Sequence, residues 1–303
     1  MRTLIAIAIG LMMLVSAAAA TGVDNDICVE IESSAEDNCI VGVDLAQVTM
    51  AESYVFGCDN FVKQDMDLDI EYNDLVGNAL SCVTQYGVMT GNASGTDNCV
   101  RQDIDLDIED NCLAIGNLSQ AAMQTGNTFG CDNKIKQDTD AEIECNDVVM
   151  SDLAQVSALF ACADGTDNYV KQELEQEAED NCLVSSALWQ TAALDANVLG
   201  CDNYAKQDVE EEAEDNDLTG SLLKQLVCVE ADAIATDSCI KQEIEAEAED
   251  NCMVGSIALQ DITAIAADFG CDNEIKQDIE TETEDNSVVS GTILQKSKIV
   301  SNA

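Results

Sequence analysis

The sequence predicts an all-β solenoid, and three observations carry that prediction. A 35-residue pattern recurs from near Asn25 to near Gln295, and fixed spacing of this length marks an array whose units bury their faces only against neighbours. Acidic residues alternate with apolar ones in one slot of every unit, which is the period of a strand with one face outward. Proline is absent from all 303 residues, as suits a backbone whose N–H groups are committed to ladders.

The repeat is defined by polar landmarks. Its first Asn falls at Asn25, Asn60, Asn98, Asn133, Asn168, Asn203 and Asn273, with Ser238 in the remaining copy. The interval is 35, except for 38 between Asn60 and Asn98. A second Asn follows at Asn38, Asn73, Asn111, Asn146, Asn181, Asn216, Asn251 and Asn286. One Gln column runs Gln64, Gln102, Gln137, Gln172, Gln207, Gln242 and Gln277, with Val29 in the first unit. Another runs Gln47, Gln85, Gln120, Gln155, Gln190, Gln225, Gln260 and Gln295. The three extra residues lie between Asn73 and Gln85. Eight units plus this insertion fill 21–303 as a single array.

The slot after the first Gln reads DIDLDIED at 103–110 and EIEAEAED at 243–250. Glu and Ala favour helix, but Asp does not, and Ile104, Leu106 and Ile108 alternate with acids at period two. Equivalent slots share one structure, so all copies are read as strands. DIETETED at 278–285, with its Thr residues, agrees.

The second half of the unit is apolar on both alternating faces, as in the stretch from Asn181 to Gly200. That describes a strand buried on both sides, with helix as its competitor. The two Gln columns stand 18 and 17 residues apart. The expectation is therefore two coils of 17–18 residues per repeat. At ~4.8 Å per coil each repeat would rise ~9.6 Å, with like amides stacking into ladders.

The start of the chain reads as a secretory signal: Met1-Arg2, an apolar run from Leu4 to Val15, then Ser16 to Ala20. Residues 1–20 are assigned to the signal, with cleavage after Ala20; an uncleaved anchor is the alternative. No other segment is long and apolar enough to span a bilayer. The chain counts 60 Asp and Glu against 12 Lys and Arg, a net charge of −48. Such a surface disfavours nucleic acid and anionic lipid as partners. Hydrophobic residues make up 47% of the chain and the acids keep register, which argues against disorder.

Fifteen cysteines in a secreted chain read as disulfides. Four pairs recur at a separation of 19: Cys39-Cys58, Cys112-Cys131, Cys182-Cys201 and Cys252-Cys271. Cys82-Cys99 and Cys145-Cys162 are 17 apart. These separations approximate one coil, so each bridge would staple adjacent coils. Cys228-Cys239 completes the pairing and leaves Cys28 free or intermolecular. A metal cluster is disfavoured, because the sequence has no CxxC and no His.

The acidic strands admit two readings. One is a charged face that keeps the protein soluble and blocks stray pairing. The other is divalent-cation binding, calcium for example, by Asp103, Asp105, Asp107, Glu243, Glu245 and Glu247. No other cofactor is expected. A basic column, Lys63, Arg101, Lys136, Lys171, Lys206, Lys241 and Lys276, accompanies the acids. Two N-glycosylation sequons occur at Asn92 and Asn117; Asn92 sits among glycines and is read as a turn.

No carboxylate stands in a unique context, as a catalytic group would, so an enzyme is not expected. A polysaccharide lyase on a β-helix is the third reading.

The Asn and Gln columns in Pro-free strand repeats resemble curlin-type functional amyloids in principle. The DN-x3-Q and EDN repeats with regular Cys are closer to the acidic, Cys-rich repeat proteins of the tubular sheath of filamentous methanogenic archaea. That resemblance implies an archaeal extracellular envelope, β-rich hoops and disulfide links. The residues independently point to self-association, since a solenoid without caps exposes ladder edges that template another copy. The expected function is thus a secreted structural subunit that polymerises with itself, head to tail and laterally. A surface-layer protein binding divalent cations is the alternative.

Overall fold

A computed structural model of the chain describes residues 10–36, 39–40, 45–72, 74–76, 82–114, 117–271 and 274–302. Every element is a strand and every strand pairing is parallel, giving a β-solenoid. One turn takes 35 residues and three strands. Tyr169–Glu179 alternates acids outward, Cys182–Val184 is a short bridge, and Ala187–Cys201 is the long strand. The next turn begins at Tyr204. Stacked turns build an acidic sheet, a short sheet and a long sheet.

The expected half-size coils are not there. Gln137 of the acidic sheet pairs with Gln102 and Gln172, each 35 residues away. Gln120 of the long sheet pairs with Gln85 and Gln155. The two Gln columns thus belong to different sheets that face each other across the core. The 17–18-residue spacing is half a circuit, and a full repeat rises ~4.8 Å rather than twice that. The three-residue insertion is real: Leu45 pairs with Val83 and Asp74 with Cys112, both offset by 38. Its own residues, 77–81, lie outside the described set.

The interior follows from the alternation. Leu174 and Val209 of the acidic sheet pack against Leu159, Ala192, Leu194 and Val227 of the long sheet. Near the short sheet, Ile143, Val148, Leu153, Leu183 and Leu218 form a second cluster. The long strands are buried on one face only. Their outer face is uncovered, leaving Val156, Phe160 and Trp189 in contact with solvent.

The corners explain the repeated Asp-Asn pairs. Asp97, Asp132, Asp167 and Asp202 take φ of 55–56°, the left-handed region that Asp tolerates better than most residues. The next residue is the buried Asn. The Oδ1 of Asn133 accepts from the backbone N–H and the Nδ2 of Asn98, at 3.2 and 3.1 Å. Asn133 Nδ2 donates in turn to the carbonyl of Gly95. Ser238 serves as acceptor for the N–H of Asn203. Asn273 and the second-column Asn38 and Asn73 lie outside the described residues. The second corner repeats the device at Asn111, Asn146, Asn181, Asn216 and Asn251.

One feature escaped the sequence reading. A third corner carries a Ser column, in which Ser151, Ser186 and Ser221 donate their N–H to the hydroxyls of Ser186, Ser221 and Ser256. A column of glycines, Gly22, Gly57, Gly95, Gly130, Gly165, Gly200 and Gly270, runs near the end of the long strands, with Ala235 in one copy. A Cβ on Gly165 (φ 139°) would stand 1.8 Å from the carbonyl oxygen of Gly130, so the backbone conformation of this turn favours glycine there.

Candidate functional site: edges, ridges and the acidic face

The Gln ladder is continuous in the acidic sheet and broken into segments in the long sheet. In the acidic sheet, Gln102 donates to Gln64, Gln137 to Gln102, Gln172 to Gln137, Gln207 to Gln172, Gln242 to Gln207 and Gln277 to Gln242, at 2.7–3.0 Å. In the long sheet, the amide of Gln155 turns instead to the carbonyl of Glu177 across the core. Asn60 and Asn98 are linked at 2.9 Å, and Asn168 and Asn203 at 3.1 Å. These are interior columns, so they join turns rather than meet a ligand.

The anticipated intrachain disulfides do not fit. Cys112, Cys182 and Cys252 open short strands, whereas Cys131, Cys201 and Cys271 close long strands. An eleven-residue acidic strand lies between those two corners, a span of about 36 Å. A disulfide needs Cα atoms within about 7 Å. The same geometry applies to Cys39-Cys58, although the Cys39 side chain is outside the described set.

Cys82 and Cys99 open strands at opposite ends of the long sheet. Cys145 follows an acidic strand at one end of the cross-section, while Cys162 lies ten residues into the facing long strand, about 33 Å away. Cys228 is eight residues short of the corner that leads to Cys239, about 26 Å. The error shares its cause with the coil count. Separations of 17–19 residues span half a circuit and carry the chain to the far side.

Eight of the fifteen cysteines instead fall in two columns at the corners. At the end of the long strands the column reads Cys58, Thr96, Cys131, Thr166, Cys201, Thr236, Cys271. At the start of the short strands it reads Cys39, Asp74, Cys112, Asp147, Cys182, Asp217, Cys252. Cysteines within a ridge are two turns, ~9.6 Å, apart and cannot bridge to one another. Cys131, Cys182, Cys201, Cys252 and Cys271 carry free thiols, and burial of these corners is slight. Beside the first ridge stand Phe56, Phe129, Leu199 and Phe269; the three phenylalanines are 53%, 49% and 61% exposed. Cys28 is exposed and begins the basic column, one turn before Lys63.

The outer face of the acidic sheet holds carboxylates in register. Asp103 and Glu243 share one column, Asp105 and Glu245 the next, Asp107 and Glu247 a third. Neighbours in a column are one turn apart, so each pair repels by about 0.9 kcal/mol in water, twice what the larger spacing implied. The basic column relieves only the first. Arg101 pairs with Asp103 at 2.9 Å, Lys206 with Asp208 at 2.7 Å and with Glu243 at 3.2 Å, and Lys241 also pairs with Glu243.

Proton affinity follows that gradient. The hydrogen bond from Lys241 holds Glu243 below the usual carboxylate range. Burial, reinforced by neighbouring acids, pushes Asp105 up to about 6, Asp107 to about 8 and Glu177 to about 7. Of the six expected cation ligands, only Glu247 joins a convergent triad, with Glu214 and Glu249. A second triad, Glu144, Glu177 and Glu179, was not anticipated.

One acid is misplaced. Glu211 occupies an inward position that is Leu106, Ala141, Gln176 and Ala246 in other turns. The run Glu210-Glu211-Glu212 breaks the alternation, and that was the available signal.

The sequons are also placed differently. Asn92 lies within the strand Cys82–Thr96 and accepts from Asn127 at 2.9 Å, so it is not in a turn. Asn117 opens its strand and is exposed.

No family model, curated protein or solved structure matches the chain.

Proposed function

We propose that the protein is a structural subunit of an extracellular sheath, hoop or fibril that polymerises with itself. The supporting observation is the form of its surface. Three parallel ladders run the length of the molecule, and among the described residues no cap covers the edge strand Thr292–Asn302. An uncovered ladder edge templates a further strand. Along the sides, an exposed Phe or Leu recurs with Cys every second turn on one ridge, and Cys recurs with the same period on the other. Two solenoids lying side by side in phase bring one ridge against the other. Apolar contact and disulfides between copies then follow from the same repeat. The secretory-type start and the cysteine content favour an oxidising, extracellular setting. The resemblance to archaeal sheath proteins is of this kind.

Electron microscopy of protein assembled under oxidising conditions, with and without reductant, tests the proposal. Regular hoops or fibrils with a ~4.8 Å axial repeat are expected, separating laterally on reduction. Single particles in both conditions would refute it.

A second reading, cation binding, is favoured by the convergent glutamates at Glu144, Glu177 and Glu179. It predicts saturable calcium uptake and a raised melting temperature.

A further inference from the structure

The strand Gly10–Val23 lies mostly in the segment read as a leader, yet it forms the first edge of the long sheet. It pairs with Leu45–Cys58, setting Gly10 beside Leu45, Met12 beside Gln47 and Gly22 beside Gly57. Among the described residues the long sheet thus has nine strands, against eight in each of the others.

That surplus matters for end-to-end addition. The chain winds acidic, short, long, and Thr292–Asn302 is a long-sheet strand. A second copy continuing the winding would supply its own Asp26–Glu36, then Cys39–Ile40, then Leu45–Cys58. Three strand pairs would form at once, the last between Thr292–Asn302 of one copy and Leu45–Cys58 of the other. Gly10–Val23 already stands in that place. With it present, the acidic and short sheets of the two copies are held ~9.6 Å apart, beyond hydrogen-bonding distance.

Register and hydrogen bonding agree on the occupant. Within the chain, Gln295 aligns with Gln260. Aligning it likewise with Gln47 of a second copy lays Ile293–Asn302 over the positions of Gly10–Ala19. Where the long-sheet ladder is made, Nε2 donates to the Oε1 one turn earlier: Gln85 to Gln47 at 3.2 Å, and Gln295 to Gln260 at 2.8 Å. The Nε2 of Gln47 is buried without a partner, and its register neighbour, Met12, is a residue type with no amide. Gln295 of a preceding copy brings the acceptor that is missing.

We infer that Gly10–Ala20 holds, within its own chain, the docking place of a second copy's long-sheet strand, and that end-to-end growth requires this segment to leave. The inference rests on the self-assembly reading above.

The test uses the full chain with a site-specific protease sequence in place of 17–20, followed by light scattering and electron microscopy before and after cutting. Growth is expected only after the cut. A full-length variant with Leu14→Pro and Ser16→Pro, which breaks the strand's ladder bonds without cutting, should grow as the cut chain does. In the cut chain, Gln47→Leu should slow growth by about tenfold, the effect of one buried hydrogen bond. Equal growth in the intact, cut and proline-bearing chains overturns the inference and leaves self-assembly standing. No polymer from any form overturns both.

Discussion

Glu211 lies one turn above Gln176 inside the acidic sheet, and neither carboxylate oxygen has a partner of good hydrogen-bond geometry. Burial pushes its pKa up to about 8, with only the backbone of Ala192 opposing. The native state therefore holds this proton more tightly than the unfolded chain does. Its contribution to stability is full below the ordinary glutamate range, falls as pH rises, and is gone above about 8. Glu211→Gln should raise the melting temperature much more at pH 9 than at pH 5. Equal gains at both pH values would show that the carboxyl is not protonated in the fold.

Charge removal on the outer face should behave similarly for a different reason. Asp107, Glu142 and Glu177 stack in one column, and all three are pushed above the usual carboxylate range, burial first and neighbouring acids second. Their repulsion grows as pH rises. The triple variant Asp107→Asn, Glu142→Gln, Glu177→Gln should gain thermal stability at pH 8 and little at pH 5. Added salt should narrow the difference at pH 8.

The Asn column offers a test of the corner. Asn168→Ala removes the acceptor for the backbone N–H and the Nδ2 of Asn133, at 3.1 and 3.2 Å. It leaves the backbone N–H of Asn133 without its acceptor, while Asn133 Nδ2 keeps its bond to Gly95, so a loss of about 1–3 kcal/mol is expected in chemical denaturation. Asn168→Ser should cost less, since Ser238 fills the equivalent place one step before Asn273.

Much of this was legible beforehand, and the divide is physical. Period-two alternation identified the acidic strands, because an outward face and a buried face impose different chemistry on successive residues. The 35-residue interval identified the array, and the offset of 38 located the insertion. Coil size was not legible. Gln102 and Gln120 look alike in sequence because both are buried amides, but one sits in each of two facing sheets. Nothing local distinguishes the next rung from the opposite wall. The disulfide pairing failed with it. The short strand at Asp147–Val149 and the Ser151 corner were hidden because three residues are too few to show a period.

Glycine near the end of the long strand eases a close approach of turns, although one copy carries Ala235 in that register position. Gly165→Ala adds a Cβ that collides with the Gly130 carbonyl at a φ of 139°. A loss of about 1–3 kcal/mol is expected, read as a lowered melting temperature.

Mixed-isotope assembly can assign the cysteines. Light and heavy copies polymerised together, digested without reduction and analysed by mass spectrometry should yield light–heavy disulfides that include Cys131, Cys182, Cys201 or Cys252. Peptides joining Cys182 to Cys201 of one copy should be absent.

The alternation of Cys with Thr on one corner and with Asp on the other gives the molecule two different periods. Its hydrogen bonding repeats every 35 residues, while its sides repeat only every second turn. In the proposed side-by-side polymer, a gain or loss of one repeat would keep every ladder intact, but the ridge thiols beyond the change would fall opposite Thr or Asp in an unaltered neighbour. A gain or loss of two repeats preserves both. Length variants able to mix in such a polymer should therefore differ by pairs of repeats, and the cysteine rhythm would then act as a parity check on inheritance.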